Sequence, residues 1–272
     1  MENIEIKDCL CCWCDLLGYG TPFVESGWEL RDQRCKKNYE RIEKLRLQFT
    51  STWSAKQVGT KLSFNDGFAS TIDITPHNDE SYMDTLLFIE GVINDFDSLN
   101  GTDKRNGFPG ARGILALGQR FSYDSCSHSY DLIRKRTTAY YPKEFQMNTA
   151  FSKAFIMEES GSRANIKGSN LFIDNAIFEF LKDAAAEIKC VPPVVERKSD
   201  SMVIKLFSPG GWFADIYLDP SPIEYRQSEK YNNRGIETTL YRYKAIHSVI
   251  DEMASEAAYQ QARRFSLMED DE

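Results

Sequence analysis

A chain of 272 residues with 42% hydrophobic content can bury one sizeable core with room for a smaller appended lobe. Its 33 lysines and arginines against 41 acids leave a net charge of −8, which argues against the broad phosphate-neutralising face of a duplex-binding protein. No apolar run approaches the roughly 20 residues of a membrane-spanning helix, and the opening MENIEIKD has no basic leader region. A soluble, cytoplasmic enzyme or binding protein is expected, with neither nucleic acid nor membrane as partner. Seven cysteines, an odd number without a secretory signal, point to reduced thiols.

The almost unbroken apolar and sulfur side chains from Cys9 to Leu17 predict a strand over 5–17, covered on both faces. Alternation in a strand puts Cys9 and Cys11 on one face and Cys12 and Cys14 on the other, so these cysteines do not gather round one tetrahedral zinc ion. They read as small buried residues that build the strand and aim Asp15 at its end. The strand stops at Gly18-Tyr19-Gly20-Thr21-Pro22, and Trp28, Leu30, Tyr39, Ile42 and Leu45 then predict a long amphipathic helix over 26–49. Asn65-Asp66-Gly67 supplies the turn of a hairpin with strands at 59–65 and 68–74. Tyr82, Leu86, Ile89, Ile93 and Phe96 share one face of a helix over 79–98, behind an acidic first turn. RGILALG, Arg112 to Gly118, is a short buried strand; 143–159 reads as a helix, 169–174 as a strand and 175–188 as a helix.

This β-α-β-β-α-β order predicts an α+β, ferredoxin-like core of antiparallel sheet and helices over residues 1–190. Residues 191–272 form an extension: VPP marks its boundary, MVIKLFSPGGWFADIYLDP predicts a hairpin turning at Pro209-Gly210-Gly211, 236–265 reads as a helix, and MEDDE as an acidic tail.

Asp15 follows so apolar a strand that its carboxylate needs a partner. Asp66 lies at the tip of the hairpin expected beside that strand. Two carboxylates placed together suit divalent cations that bridge to phosphate oxygens, although Asp66 taken alone reads first as a turn residue, as Asp-Gly so often is. The glycine-containing turn Leu17-Gly18-Tyr19-Gly20-Thr21 can present backbone amides to phosphate at a helix start, but it matches neither the Walker nor the G-x-G-x-x-G pattern. His77, His128 and His247 are too dispersed for a catalytic cluster, and no G-x-S-x-G occurs. The basic run Arg134-Lys135-Arg136 reads as a solvated loop or as an approach to triphosphate.

CDLLGYGTPF resembles the metal-binding start of class III nucleotide cyclase domains. FNDG resembles their second metal aspartate in the hairpin, and RGILALG their R-x-G-I-x-x-G strand. The helix and strand in MNTAFSKAFIMEESGSRANIKGSNLFID are similar to the next two elements of the family. The spelling, with an A-x-x-x-A-x-x-x-E helix, is closest to the pyrimidine cyclases of bacterial antiphage (Pycsar) systems. The resemblance covers residues 8–175.

It implies that Asp15, Asp66 and the Leu16 carbonyl hold two Mg2+ or Mn2+ ions per site. Gly18 and Tyr19 of the turn, with Arg112, would contact the triphosphate. Asn148 would orient the ribose. Where the family has a transition-state arginine four residues after Asn148, this chain has Ser152, followed by Lys153 as the candidate cation. The two adenine-reading positions are Leu62 and Tyr141, which argues against ATP and leaves UTP or CTP. Lys205 is the nearest counterpart of the family's late phosphate-binding lysine. The implied activity is conversion of a pyrimidine triphosphate to 3',5'-cyclic UMP or CMP and pyrophosphate, as a second-messenger synthase in antiviral defence. In the family the site is shared between paired domains, so a head-to-tail homodimer is expected. Adenylate cyclase activity and a non-catalytic nucleotide sensor are the alternatives, the latter favoured by Ser152. A diguanylate cyclase relative would carry a G-G-[DE]-[EF] turn, which is absent.

Overall fold

A computed structural model of the protein describes residues 4–50, 58–75, 78–122, 128–131 and 135–249. The first strand, β1 (Glu5–Leu16), is followed by a short helix α1 (Thr21–Glu25) and by α2 (Gln33–Thr50). The single long helix expected over 26–49 is interrupted because Gly27 and Trp28 both take left-handed backbone, φ 63° and 67°, which an α-helix does not admit. The hairpin β2 (Thr60–Phe64) and β3 (Gly67–Asp73), helix α3 (Asp79–Arg105) and strand β4 (Ala111–Ser122) follow in the expected order, with α3 running past the expected end at 98 and β4 past the expected end at 118. A small hairpin, β5 (His128–Asp131) and β6 (Arg136–Tyr140), precedes α4 (Thr149–Ser160). Helix α4 begins six residues later than expected, at the cap formed by Asn148. A 3-10 turn (Gly161–Ala164), β7 (Leu171–Asp174) and α5 (Ala176–Glu187) complete the core order.

The remaining strands are β8 (Val194–Arg197), β9 (Met202–Ser208), β10 (Gly211–Leu218), β11 (Tyr231–Asn233), β12 (Ile236–Thr238) and β13 (Leu240–Ser248). The hairpin at Pro209-Gly210-Gly211 is present. The helix expected from residue 236 is not: 236–238 and 240–248 are strands, and 250–265, like the acidic tail, His77 and Arg134, lies outside the described residues. Apolar spacing at 240, 243 and 246 suits a helix, yet β13 pairs with β7 through its first half and with β10 through its second. Ladder bonds on both sides override the local period.

The large sheet runs β2-β3-β1-β4-β7-β13-β10-β9-β8, antiparallel throughout except for the β4–β7 pair. Its first four strands have the ferredoxin-like order, giving an α+β fold. Leu10, Cys12, Cys14 and Leu16 of β1 face a core shared with α2, α3 and α5, whereas Cys9, Cys11 and Trp13 face a second core under α4. The cysteines divide between the faces as the alternation predicts, and the six described ones are free thiols.

Two close approaches fix this frame. A Cβ at Gly67 would lie 1.9 Å from the Trp13 ring, so the Asp-Gly turn needs glycine for contact as well as for bending. A buried ion pair joins α2 to α3: Arg41 donates to Asp103 at 2.8 and 2.7 Å and also to the Leu17 carbonyl at 3.0 Å. Arg41 thereby holds the turn after β1 against the helices.

Candidate active site

Asp15 is the last odd-numbered residue of β1, so its side chain points to the α4 side. Its cross-strand neighbours are Gly67 on β3 and Arg112 on β4. The Leu16 amide donates to the Asp66 carbonyl at 3.2 Å, which ties the hairpin tip to the end of β1. The fold thus brings Asp15, Leu16, Asp66 and Arg112 to one end of the sheet, together with the turn that carries Gly18 and Tyr19. The Tyr19 hydroxyl donates to Asn65 Oδ1 at 2.9 Å, beside Asp66.

Charge at this end is unbalanced. Burial, then Glu158 and then Asp66 push the Asp15 carboxyl up to about 7, against the opposing pull of Arg112 and Arg41. Burial also raises Asp66, although its own backbone amide, Asn65 and Arg41 draw it down. Arg112 is held by Glu158 of α4, with Nε and Nη2 at 2.7 and 2.5 Å from the same carboxylate oxygen. Two arginines therefore serve a neighbourhood of three carboxylates, and both are already engaged, Arg112 by Glu158 and Arg41 by Asp103.

The donors suit a hard divalent cation. They are carboxylate and carbonyl oxygens, and positive charge is what Asp15 lacks. Asp15 and Asp66 supply two carboxylates; among the described residues no group of three or more histidine, cysteine, aspartate or glutamate side chains is arranged to hold a metal ion. Further ligands would come from the Leu16 carbonyl, which accepts one long bond from the Tyr19 amide at 3.4 Å, and from a bound substrate.

Asn148 lies elsewhere. It pairs with Arg120 near the start of β1, about 20 Å from Asp15 at the usual strand rise over the six residues from Cys9. Its side chain is 2% exposed and fully engaged: Oδ1 accepts from the Phe151 amide at 2.9 Å, and Nδ2 donates to Thr71 Oγ1 at 3.1 Å and to the Glu144 carbonyl at 3.0 Å. Orienting a ribose would require breaking these bonds. Lys153 Nζ donates to the Leu117 carbonyl at 3.0 Å. Leu62 packs on the α4 core, and Tyr141 is half-buried in the segment before α4. Lys205, on the far side of the sheet, is paired with Glu196 at 2.7 Å.

Glu158, met in the sequence only as the glutamate of the A-x-x-x-A-x-x-x-E pattern, and Arg41 are the site's neighbours to which sequence reasoning gave no role. Both carried a signal. Ala150, Ala154 and Glu158 recur every four residues, and the first two are wholly buried, so the glutamate must face inward. Arg41 likewise falls at the apolar spacing between Asn38 and Leu45, where a lone charge implies a buried partner.

No family model and no curated protein matches the sequence. Among solved structures, the fold is similar to the adenylyl cyclase CyaB from P. aeruginosa at 10% identity, covering 89% of this chain and 96% of that one, with a TM-score of 0.39. It is similar to the guanylyl cyclase Cya2 at 12% identity, covering 91% and 96%, with a TM-score of 0.46. The guanylyl cyclase domain of the RhoGC fusion protein from the aquatic fungus Blastocladiella emersonii matches at 11% identity over 91% and 99%, with a TM-score of 0.43. At these identities and scores the similarity assigns no residue. No helix among the described residues is long and apolar enough to cross a membrane.

Proposed function

We propose that the protein is a nucleotide cyclase that converts a pyrimidine nucleoside triphosphate, UTP or CTP, to the 3',5'-cyclic monophosphate and pyrophosphate. The observation that carries this reading is the meeting of Asp15, Asp66 and the Leu16 carbonyl at one end of the sheet, with a carboxyl raised to about 7 by burial and by the surrounding negative charge. Mg2+ or Mn2+ held there would acidify the ribose 3'-hydroxyl and neutralise the triphosphate. Asp15 and Asp66 orient the reacting ends, the amides of Gly18 and Tyr19 receive phosphate oxygens, and Arg112 exchanges Glu158 for the triphosphate. The 3'-oxygen then bonds to the α-phosphorus as the bond to the bridging β-phosphate oxygen breaks, and the hydroxyl proton passes to solvent.

Asn148 and Lys153 lie at the other end of the same strand. In this reading Lys153 serves the site of a second copy in a head-to-tail homodimer, and Asn148 fixes the start of the helix that presents it. A soluble messenger synthase of this kind fits the antiphage role implied by the sequence resemblance. A second reading, a non-catalytic nucleotide sensor, is favoured by the engagement of Arg112 by Glu158 and of Asn148 by its cap. Incubation of the full chain with each of the four NTPs and Mn2+, followed by mass analysis, separates the two. Cyclic UMP or cyclic CMP is expected; nucleotide binding without any product would favour the sensor.

A further inference from the structure

A groove of about 770 Å³ opens on the side of the sheet opposite to the Asp15 carboxylate, between α2, the α1 turn and the edge strand β2. Its size falls within the range of roughly 300–1,000 Å³ typical of small-molecule sites. Tyr19, Phe23 and Tyr39 line it with aromatic surface; Tyr39 is 63% exposed and Leu30, at the mouth, 71%. Three of its lining residues are cations, Arg31, Lys36 and Arg46. Glu43 neutralises Arg46 at 2.8 Å, whereas neither Arg31 nor Lys36 is ion-paired among the described residues. In a chain of net charge −8, an aromatic trough bearing two unmatched cations is a local inversion of sign. An apolar segment would gain nothing from these cations, and a cationic ligand, although aromatic faces attract it, would meet the like charge of Arg31 and Lys36.

We infer that this groove binds a small planar aromatic anion, with its ring against Tyr19, Phe23 and Tyr39 and its acid group on Arg31 and Lys36. The site is separate from the carboxylate cluster: Ile42 at its floor belongs to the α2–α3 core, and Asp15 faces α4. It adjoins that cluster through Tyr19, whose hydroxyl is bonded to Asn65.

The test uses the full chain without nucleotide, so that its outcome is independent of any cyclase activity. The probe is 1-anilinonaphthalene-8-sulfonate, and N-phenyl-1-naphthylamine, the same ring system without the sulfonate, is the neutral control. Calorimetry should give one sulfonate probe per chain. The double variant Arg31→Glu/Lys36→Glu, both positions being exposed, should weaken the sulfonate by about tenfold or more while changing the neutral probe by less than about twofold. Tyr39→Ala should weaken both probes, and circular dichroism should show all variants folded. Equal sulfonate affinity in wild type and the charge-reversed variant would overturn the inference. So would a change in sedimentation mass caused by the charge reversal, since the groove would then be covered by a second copy.

Discussion

The two ends of β1 hold polar groups in opposite ways. At the Cys9 end the amide and the arginine are matched: Asn148 caps α4 and bonds Thr71, and Arg120 is paired with Asp73 at 2.5 Å. At the Asp15 end, carboxylates from β1, the hairpin tip and α4 gather round two arginines that are each already paired, and burial with this like charge drives Asp15 up to about 7. The same strand therefore ends once in a completed network and once in a charge deficit. Completed networks stabilise a fold, and deficits are tolerated where a ligand completes them.

The largest separation between the ends is expected from Asp66→Ala, which should reduce cyclic-nucleotide formation by on the order of 100-fold or more. Its melting temperature should stay close to wild type, because a half-exposed turn residue contributes little packing. Asn148→Ala should do the reverse to stability. Losing the cap and orphaning its buried partners costs about 2–3 kcal/mol in urea unfolding. If Asp66→Ala were the more destabilising of the two, the contrast between the ends would collapse.

The last contrast is a pH signature, read as a slope rather than as a single loss. Burial and like charge raise the folded Asp15 carboxyl from 3.8 to about 7, so the folded state keeps this proton after the unfolded chain has lost it. The wild type therefore loses stability relative to Asp15→Asn as pH rises from about 4 to about 7, and the difference levels off above. Below pH 4 the two should melt alike. Mg2+ or Mn2+ added at pH 8 should raise the wild type and leave Asp15→Asn nearly unmoved; a constant difference across the pH range would remove the charge deficit from the account.

Much of this was legible in the sequence, because the signals are local. The unbroken apolar run fixes β1 as a strand with two covered faces, the Asn-Asp-Gly turn fixes the hairpin, and their order leaves little freedom in the placement of Asp15 and Asp66. The reading failed where neighbours in space outweigh neighbours in sequence. Residues 240–248 have helical spacing and become β13 because β7 and β10 offer ladder bonds on both sides. The family resemblance makes Asn148 a ribose-facing amide, whereas in the structure its side chain caps α4.

The sequence by itself determined which side chains alternate on β1, where the strand turns, and that a carboxylate stands at its end, since backbone period and turn chemistry act over a few residues. Only the tertiary structure decided that Glu158 comes down from α4 onto Arg112, that Arg41 pins the turn through Asp103, and that three cations line an aromatic groove. Each of these depends on how layers of helix and sheet pack, and electrostatic environment is a property of that packing.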